Sequence, residues 1–378
     1  MEKLLIIFGT RPEAIKLAPI ISLLRTEKFR NKLDFKVCVT GQHRELLDQV
    51  LDIFEIKPDF DLDLMTKQQD LSNLSSRMLE KLAAVLEEYH PEKVLVHGDT
   101  TTSFIASLAS FYADCEVVHV EAGLRTNDLT SPWPEEANRQ LTARLAKVHM
   151  APTERAKSNL INEGIREERI FVTGNTVIDA MMQTNEKILL DEELKTSLIA
   201  DLSLDFDLQK EKFILLTGHR RENIGQNFLN VCNAIKSIAK EFSNIHVVFA
   251  MHMNPMVVNS IKANLNEIQN VHLIPPQNYL AFILLISHCY LVLTDSGGIQ
   301  EEAPTFGKPV LVIRNTTERP EIIQSGVGLL VGTDYEKIYE SIKLVLGDEK
   351  IYDQMANAGN PFGDGTASRQ ILENLYEK

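Results

Sequence analysis

The sequence predicts an α/β protein with two Rossmann-like domains, each built on a doubly wound parallel sheet. Short, mostly apolar runs alternate with longer segments whose apolar residues recur at helical spacing, which is typical of buried parallel strands joined by helices. The same alternation begins again in the second half of the chain. The length of 378 residues is sufficient for two domains or more, at roughly 150 residues each.

Five strands and five helices are predicted in the first half. The apolar runs that predict strands are Leu4–Phe8, Phe35–Val39, Val94–Val96, Val117–Val120 and Ile170–Val172. The segments with helical spacing are Ala14–Leu24, Arg44–Phe54, Leu74–Tyr89, Ser103–Phe111 and Arg139–Ala146. Strands and helices in alternation indicate a parallel sheet covered by helices on both faces.

The second half predicts six further strands and a C-terminal helix. Its apolar runs are Phe213–Thr217, Ile245–Ala250, Val271–Ile274, Tyr290–Thr294, Pro309–Ile313 and Leu329–Val331. We expect a first domain over residues 1–175 and a second over residues 176–365, with the polar stretch Thr184–Lys212 leading into the second series of strands. The C-terminal helix, residues 366–378, is expected to pack back on the first domain.

The composition argues against several classes of function. The net charge is −14 and the sequence pI is about 5.3, so the chain lacks the basic surface of a protein that grips nucleic acid. No apolar run approaches the roughly 18 residues that a membrane helix needs. The run Leu4–Phe8 is too short for a signal peptide, and we therefore expect a cytoplasmic protein. The four dispersed cysteines argue against a disulfide framework or a zinc site.

Standard nucleotide and hydrolase motifs are absent from the sequence. The first strand is followed by Gly9-Thr10-Arg11-Pro12-Glu13 in place of a Gly-x-Gly-x-x-Gly turn, which weakens a dehydrogenase interpretation. The sequence also lacks a Walker A motif, a His-Glu-x-x-His motif and a Gly-x-Ser-x-Gly elbow. Candidate site residues are therefore sought where ligands bind in open α/β sheets, at the carboxyl ends of the strands.

The first predicted strand leads directly into a predicted helix that carries two cations. Thr10 can cap this helix, with Pro12 in its first turn. Arg11 and Lys16 then stand near a helix N-terminus, where they could bind phosphate. The alternative is a capped surface helix with solvated charges.

Two carboxylates follow apolar strands in the first half. Asp99 comes shortly after Val94–Val96, where its carboxylate could take part in the chemistry or could only cap the next helix. Glu121 comes directly after Val117–Val120 and should be partly buried, so it needs a partner or a chemical task. A structural ion pair with Arg125 is the alternative for Glu121.

A third acidic position opens the helix that follows Ser131-Pro132-Trp133-Pro134. Glu135 could act in proton transfer, or it could only complement the helix dipole. Trp133, the only tryptophan of the chain, lies between two prolines, which indicates an ordered loop.

The second half carries groups suited to an anionic ligand. His219 and Arg220 follow the strand Phe213–Thr217 and resemble an anion site.

After the strand that ends at Thr294, backbone N–H groups of a Ser-Gly-Gly turn could point at a diphosphate, and Glu302 could bind ribose hydroxyls. A tight turn that requires glycine is the alternative there. Arg319 could serve phosphate or a neighbouring carboxylate. Carboxylates in one domain and a phosphate site in the other suggest a sugar nucleotide held between two domains.

Nine runs follow one another along nearly the whole chain and are specific in combination: residues 8–16 (FGTRPEAIK), 97–102 (HGDTTT), 119–126 (HVEAGLRT), 132–139 (PWPEEANR), 172–179 (VTGNTVID), 217–223 (TGHRREN), 294–304 (TDSGGIQEEAP), 317–321 (TERPE) and 360–366 (NPFGDGT). Through these runs the chain closely resembles the non-hydrolysing UDP-N-acetylglucosamine 2-epimerases. The resemblance implies a GT-B-type fold, with two domains facing a cleft, and a homodimer. It also implies a role in cell-surface polysaccharide biosynthesis.

The resemblance further implies reversible conversion of UDP-GlcNAc to UDP-ManNAc, without a metal or another cofactor, by anti elimination of UDP and syn re-addition to 2-acetamidoglucal. The matching catalytic positions are Asp99, Glu121, Glu135 and His219. The matching substrate-binding positions are Arg11, Lys16, Phe282, Ser296, Gly297, Gly298, Glu302 and Arg319. Gln42, Arg220 and His252 fall in the segments that would bind a second UDP-GlcNAc as an allosteric activator.

Three other functions remain open from the sequence. A hydrolysing epimerase would release UDP and free ManNAc, whereas the expected enzyme keeps the sugar on UDP. A GT-B glycosyltransferase would need an acceptor pocket, and three carboxylates in the first domain exceed what simple inverting transfer requires. A sugar-nucleotide sensor would bind its ligand without exchanging the C2 hydrogen.

Overall fold

The computed structural model describes residues 1–41, 44–64, 70–218, 226–251 and 261–376. The chain forms two compact units, one comprising Met1–Ala180 with Phe362–Lys378 and the other comprising Met181–Pro361. The division falls inside a helix, between Ala180 and Met181, whereas the sequence analysis places it between residues 175 and 176.

The first unit contains a seven-stranded sheet in which all paired strands are parallel. Its strands are β1 (Glu2–Phe8), β2 (Leu33–Val39), β3 (Phe60–Asp61), β4 (Lys93–His97), β5 (Glu116–Val120), β6 (Val148–Ala151) and β7 (Ile170–Val172). They lie in the order β3-β2-β1-β4-β5-β6-β7. The chain changes direction across the sheet between β1 and β4, which is the switch point where doubly wound folds bind ligands.

Helices connect these strands. They are α1 (Arg11–Leu24), α2 (Glu27–Arg30), α3 (Arg44–Ile53), α4 (Leu71–Tyr89), α5 (Thr101–Tyr112), α6 (Glu135–Leu145), α7 (Glu154–Asn162) and α8 (Thr176–Leu190), the last of which crosses the division between the units. A short 3₁₀ turn covers Glu167–Arg169.

The second unit repeats the plan with six parallel strands. They are β8 (Phe213–Thr217), β9 (His246–Ala250), β10 (Val271–Ile274), β11 (Leu291–Thr294), β12 (Val310–Val312) and β13 (Gly328–Leu330), in the order β10-β9-β8-β11-β12-β13. Its other helices are α9 (Glu192–Leu202), α10 (Gln226–Glu241), residues 261–265, Tyr279–His288, Gly297–Glu302, Pro320–Gln324, Tyr335–Gly347 and Glu349–Ala356, with a 3₁₀ turn at Ala303–Phe306. The chain thus contains two sheets of parallel strands connected by helices, which confirms the predicted α/β fold class.

Two strands of the first sheet escaped the sequence prediction. Strand β3 has only two residues, Phe60 and Asp61, and lies at the edge of the sheet, so it leaves no periodic signal. Strand β6 has only four residues, Val148–Ala151, and begins two residues after the helix predicted to end at Ala146, so its run is too short to stand apart from that helix.

The polar stretch Thr184–Lys212 is mostly helical. Helix α8 continues to Leu190, and α9 begins after Asp191, whose carboxylate caps it by accepting a hydrogen bond from the Leu194 N–H at 2.9 Å. Leu198 and Leu202 supply the buried side of α9. The other residues of α9 are half-buried or exposed.

The C-terminal helix Ala367–Tyr376 belongs to the first unit. Asp179 in α8 accepts a hydrogen bond from the Ser368 N–H at 2.8 Å, at the start of this helix. Burial raises the pKa of Asp179 against the opposing effect of its hydrogen bonds to Ser368. Lys28 forms an ion pair with Glu373 at 3.1 Å near the other end. The helix is thus attached at both ends.

The described part of the chain contains no helix that is both long and apolar enough to span a bilayer.

Candidate active site

Three neighbouring strands of the first sheet lead to the candidates Arg11, Lys16, Asp99, Glu121 and Glu135. Strands β1, β4 and β5 are adjacent, and the loops after them begin at Gly9, Gly98 and Glu121. Because the strands are parallel, these loops share one edge of the sheet. A side chain at Gly9 would collide with the hydroxyls of Thr40 and Thr102, so glycine lets the first loop lie close to the sheet.

A buried carboxylate that the sequence analysis did not single out organises two of these loops. Glu13, in the first turn of α1, accepts hydrogen bonds from the N–H groups of Gly9 at 3.0 Å and Thr10 at 2.8 Å. It also accepts hydrogen bonds from the hydroxyls of Thr100 at 2.7 Å and Ser103 at 3.1 Å. Burial raises the pKa of Glu13, against the opposing effect of these hydrogen bonds. Its position three residues after the N-cap Thr10 is the capping-box signal that could have identified it.

Glu121 lies at the centre of the polar groups at this edge. Its backbone has a φ of 61°, in the left-handed region that residues other than glycine rarely adopt. Its Oε2 forms an ion pair with Lys16 of α1 and accepts a hydrogen bond from Asn175 Nδ2 at 2.9 Å. The Glu121 side chain is only 10% exposed. Lys16, expected to meet phosphate, thus contacts a carboxylate.

The predicted alternative of an ion pair between Glu121 and Arg125 is wrong. Arg125 binds Glu163 through two nitrogens, Nε at 2.5 Å and Nη2 at 3.0 Å. A bidentate pair of this kind is geometrically demanding and leaves the guanidinium fully engaged. Glu163 lies just after helix α7. A search for site residues directly after strands therefore does not find it.

Gly98 supplies a left-handed backbone conformation next to Glu121. Gly98 has a φ of 68°, and a Cβ atom placed there would lie 3.8 Å from Glu121 Oε1. The Gly98 carbonyl accepts a hydrogen bond from His119 Nε2 at 2.7 Å. The carbonyl can only accept, so His119 carries its hydrogen on Nε2.

Asp99 is held by the helix that begins at Glu135. Arg139 of α6 forms an ion pair with the Asp99 carboxylate, and Asn138 Nδ2 donates to the Asp99 carbonyl at 3.0 Å. The alternative of Asp99 as a helix cap is wrong, because Thr100 caps α5 by accepting from the Ser103 N–H at 3.1 Å. The carboxylate is therefore not engaged in capping α5.

Glu135 and Glu136 open α6 and have different surroundings. Glu135 is half-buried, whereas Glu136 is fully buried. Glu136 accepts hydrogen bonds from the N–H groups of Thr126 at 3.0 Å and Asn127 at 3.1 Å, and contacts Arg139 at 3.2 Å. Burial acts to raise the pKa of Glu136, but its hydrogen bonds and Arg139 outweigh that effect and lower it. Glu136 therefore fixes the loop before α6.

Three buried histidines of the first sheet are held neutral. Burial lowers the pKa of His97 to about 4, that of His119 to about 3 and that of His149 to about 4. Within the described residues, neither ring nitrogen of His149 has a hydrogen-bond partner. His97 Nε2 lies 3.7 Å from Glu121 Oε2, beyond hydrogen-bond distance. These residues are uncharged near pH 7.

In the second unit, adjacent strands β8 and β11 end in linked loops. The hydroxyls of Thr217 and Thr294, the last residues of these strands, lie 2.7 Å apart. The Ser296 N–H donates to the Thr294 hydroxyl at 3.0 Å. The Ser-Gly-Gly turn therefore starts from a fixed point at the edge of the second sheet. Ser296 and Gly297 are half-buried and Gly298 is exposed.

The loop after β12 is tied to the short helix Gly297–Glu302. Arg319 contacts the Glu301 carboxylate, one of the two roles predicted for it. The Thr317 hydroxyl donates to Gln300 Oε1 at 2.6 Å, and Gln300 Nε2 donates to the Ser296 carbonyl at 3.1 Å.

The remaining candidates lie in helices of the second unit or outside the described residues. Glu302 and Phe282 are both half-buried, and Phe282 belongs to the helix Tyr279–His288. Four candidates lie outside the described residues, namely Gln42, His219, Arg220 and His252.

The chain matches a family of known proteins over most of its length. Residues 26–376 match the family model described as UDP-N-acetylglucosamine 2-epimerase. A UDP-N-acetylglucosamine 2-epimerase of Yersinia pestis is 52% identical over 373 residues, which cover 99% of this chain and 98% of the relative.

Solved structures are similar as well. The UDP-GlcNAc 2-epimerase from Neisseria meningitidis, bound to UDP-GlcNAc, superposes with a TM-score of 0.88 at 48% identity, covering 100% of both chains. The enzyme from Methanocaldococcus jannaschii, in complex with UDP-GlcNAc and UDP, gives a TM-score of 0.79 at 32% identity, again covering 100% of both chains.

The neutral state of His149 predicts a specific loss of stability in acid. In the unfolded chain a histidine protonates near pH 6.5, whereas folded His149 resists protonation until about pH 4. Its contribution is therefore present above pH 6.5 and lost as the pH falls from 6.5 towards 4. We expect His149→Met to unfold at a temperature equal to or above that of the wild type at pH 7.5. Its advantage should grow steadily down to pH 4.5.

The measurement is the thermal unfolding midpoint of both proteins across this pH range. His90→Asn is the control, because His90 is exposed and its left-handed backbone suits asparagine. The difference between this control and the wild type should not change with pH. A His149→Met difference that is equally flat would contradict the neutral, buried state of His149.

Proposed function

Because the chain belongs to the UDP-N-acetylglucosamine 2-epimerase family, we propose that it interconverts UDP-GlcNAc and UDP-ManNAc by a non-hydrolysing route. The sugar then remains attached to UDP in the product. The proposal is supported above all by the clustering of Glu121, Lys16 and Asp99 with its partner Arg139 at one edge of the first sheet.

The chemistry explains why such a cluster is needed. The C2 hydrogen of the sugar has no adjacent carbonyl to acidify it, so its removal must be coupled to departure of a good leaving group. In the proposed anti elimination, a base takes the C2 proton, the electron pair of that bond forms a C1–C2 double bond, and the C1–O bond breaks to release UDP. Syn re-addition of UDP and a proton to 2-acetamidoglucal then gives the other epimer. Each direction requires one group that accepts a proton and one that donates it.

The carboxylates of the first unit are proposed to move the protons. Asp99 and Glu121 follow adjacent strands, and Glu135 starts the helix whose Arg139 holds Asp99. Lys16 and Arg139 would hold the carboxylates of Glu121 and Asp99 in position for this transfer.

The second unit is proposed to bind UDP. Ser296, Gly297 and Gly298 would direct backbone N–H groups at the diphosphate, and Glu302 would accept hydrogen bonds from the ribose hydroxyls. Arg319 and Arg11 are cations suited to the diphosphate, and Phe282 belongs to the same substrate-binding set. His219 would assist departure of UDP by donating a hydrogen bond or proton to it.

Hydrogen exchange at C2 tests the proposal. We expect UDP-GlcNAc incubated with the protein in D2O to yield UDP-ManNAc with deuterium at C2, and the recovered UDP-GlcNAc to carry deuterium as well. Asp99→Asn, Glu121→Gln and Glu135→Gln should each lower kcat by about a hundredfold or more, the usual effect of a lost acid or base. Proton NMR follows both the epimer and the isotope.

Glu154→Gln is the matched control, because Glu154 also lies in the first turn of a helix but is exposed in the described structure. It should turn over at the wild-type rate. Free ManNAc and UDP as the products would instead identify a hydrolysing epimerase. Tight binding without C2 exchange would contradict an enzymatic function.

We also propose a homodimer that is activated by a second molecule of UDP-GlcNAc and supplies cell-surface polysaccharide synthesis. The support is the family resemblance of the segments that contain Gln42, Arg220 and His252. With UDP-ManNAc as the sole substrate, we expect a lag that a trace of UDP-GlcNAc abolishes. A full initial rate without UDP-GlcNAc would contradict activation, and a single-chain mass by light scattering would contradict the dimer.

A further inference from the structure

His97 presents an unpartnered nitrogen to the carboxylate proposed to move a proton. Its side chain is 4% exposed, and Nε2 has no hydrogen-bond partner among the described residues. Nε2 lies 3.7 Å from Glu121 Oε2, the same oxygen that Lys16 and Asn175 contact. A buried polar atom without a partner is destabilising, so its presence next to a reacting group calls for an explanation.

The ring of His97 carries its hydrogen on the other nitrogen. Nε2 is left without a hydrogen-bond partner although it lies close to the carboxylate of Glu121. An N–H group at this place would donate to that carboxylate, so the missing hydrogen bond points to a ring that carries its hydrogen on Nδ1. Nε2 of the neutral ring then carries a lone pair and can only accept a hydrogen bond, and it faces carboxylate oxygens that can also only accept. This arrangement accounts for a separation of 3.7 Å between atoms that could otherwise hydrogen-bond.

A proton on Glu121 would reverse this relation. The carboxylic acid becomes an O–H donor, and its attraction to Lys16 weakens because the charge is gone. A small rotation of the carboxyl group would then bring the O–H within hydrogen-bond distance of Nε2. The acceptor is already in place and neutral, so little reorganisation is needed.

We propose that His97 is a positioning residue, which accepts a hydrogen bond from Glu121 when Glu121 holds the proton taken from the sugar. Lys16 and Asn175 hold the ionised form of the carboxylate, and His97 holds its protonated form. This inference rests on the proposed function in that Glu121 takes part in proton transfer. It assigns to His97 no contact with the substrate and no transfer of the proton to its own ring.

Two substitutions separate an acceptor from a space-filling side chain. Gln at position 97 extends an amide oxygen towards the place of Nε2, whereas Met fills similar volume without an acceptor of comparable strength. We expect His97→Met to lower kcat about tenfold, the factor that one hydrogen bond supplies, with KM unchanged. We expect His97→Gln to retain most of the wild-type kcat. His97→Met should nonetheless unfold at an equal or higher temperature, because it removes an unpartnered buried nitrogen.

His149→Met is the matched control, since His149 is equally buried and its ring nitrogens have no hydrogen-bond partner among the described residues, but it lies within β6 and not in the loop that carries Glu121. It should keep the wild-type kcat. Equal rates for His97→Met, His97→Gln and His149→Met would overturn the inference, as would a slower His97→Gln than His97→Met. Absence of C2 exchange in the wild type would instead overturn the proposed function, so the two failures are distinguishable. Thermal unfolding and a KM measurement on each variant distinguish a folding defect from a loss of positioning.

Discussion

The ion pair between Lys16 and Glu121 connects the parts of the first unit on which the proposed chemistry depends. It joins α1 to the loop after β5, 105 residues further along the chain. The two side chains are 17% and 10% exposed, so water screens their interaction only partly. A largely buried carboxylate needs polar partners, and those of Glu121 include Lys16 of α1 and Asn175, the residue before α8. The left-handed backbone of Glu121 directs the carboxylate to these partners.

Two kinds of carboxylate coexist at this edge of the sheet, and their partners distinguish them. Glu13 and Glu136 accept hydrogen bonds from backbone N–H groups and thereby fix loops, so a change in their charge would disturb the fold. Asp99 and Glu121 are held by the side-chain cations Arg139 and Lys16, and Arg139 in addition contacts Glu136. A side chain can adjust when its partner gains a proton, whereas a backbone turn adjusts at greater cost. This difference supports Asp99 and Glu121 as the reacting pair.

The sequence was sufficient for the fold class because apolar runs report buried parallel strands directly. It was also sufficient to locate Asp99 and Glu121, because each follows such a run. It did not reveal their partners, since pairing Lys16 with Glu121 requires the strand order β1-β4-β5, which no local pattern encodes. For the same reason the alternative pairing of Arg125 with Glu121 is wrong, since the partner of Arg125 is Glu163. Strand β6 escaped prediction because it has only four residues and closely follows a predicted helix.

A double-mutant cycle on Lys16 and Glu121 tests the central role of this ion pair most directly. The rate of C2 deuterium incorporation from D2O would be measured for Lys16→Met, Glu121→Gln and the combined variant. If Lys16 acts through Glu121, the combined variant should be no slower than Glu121→Gln alone, because the interaction is already lost. If the two single losses instead multiply in the combined variant, Lys16 acts independently of Glu121 and the account is contradicted.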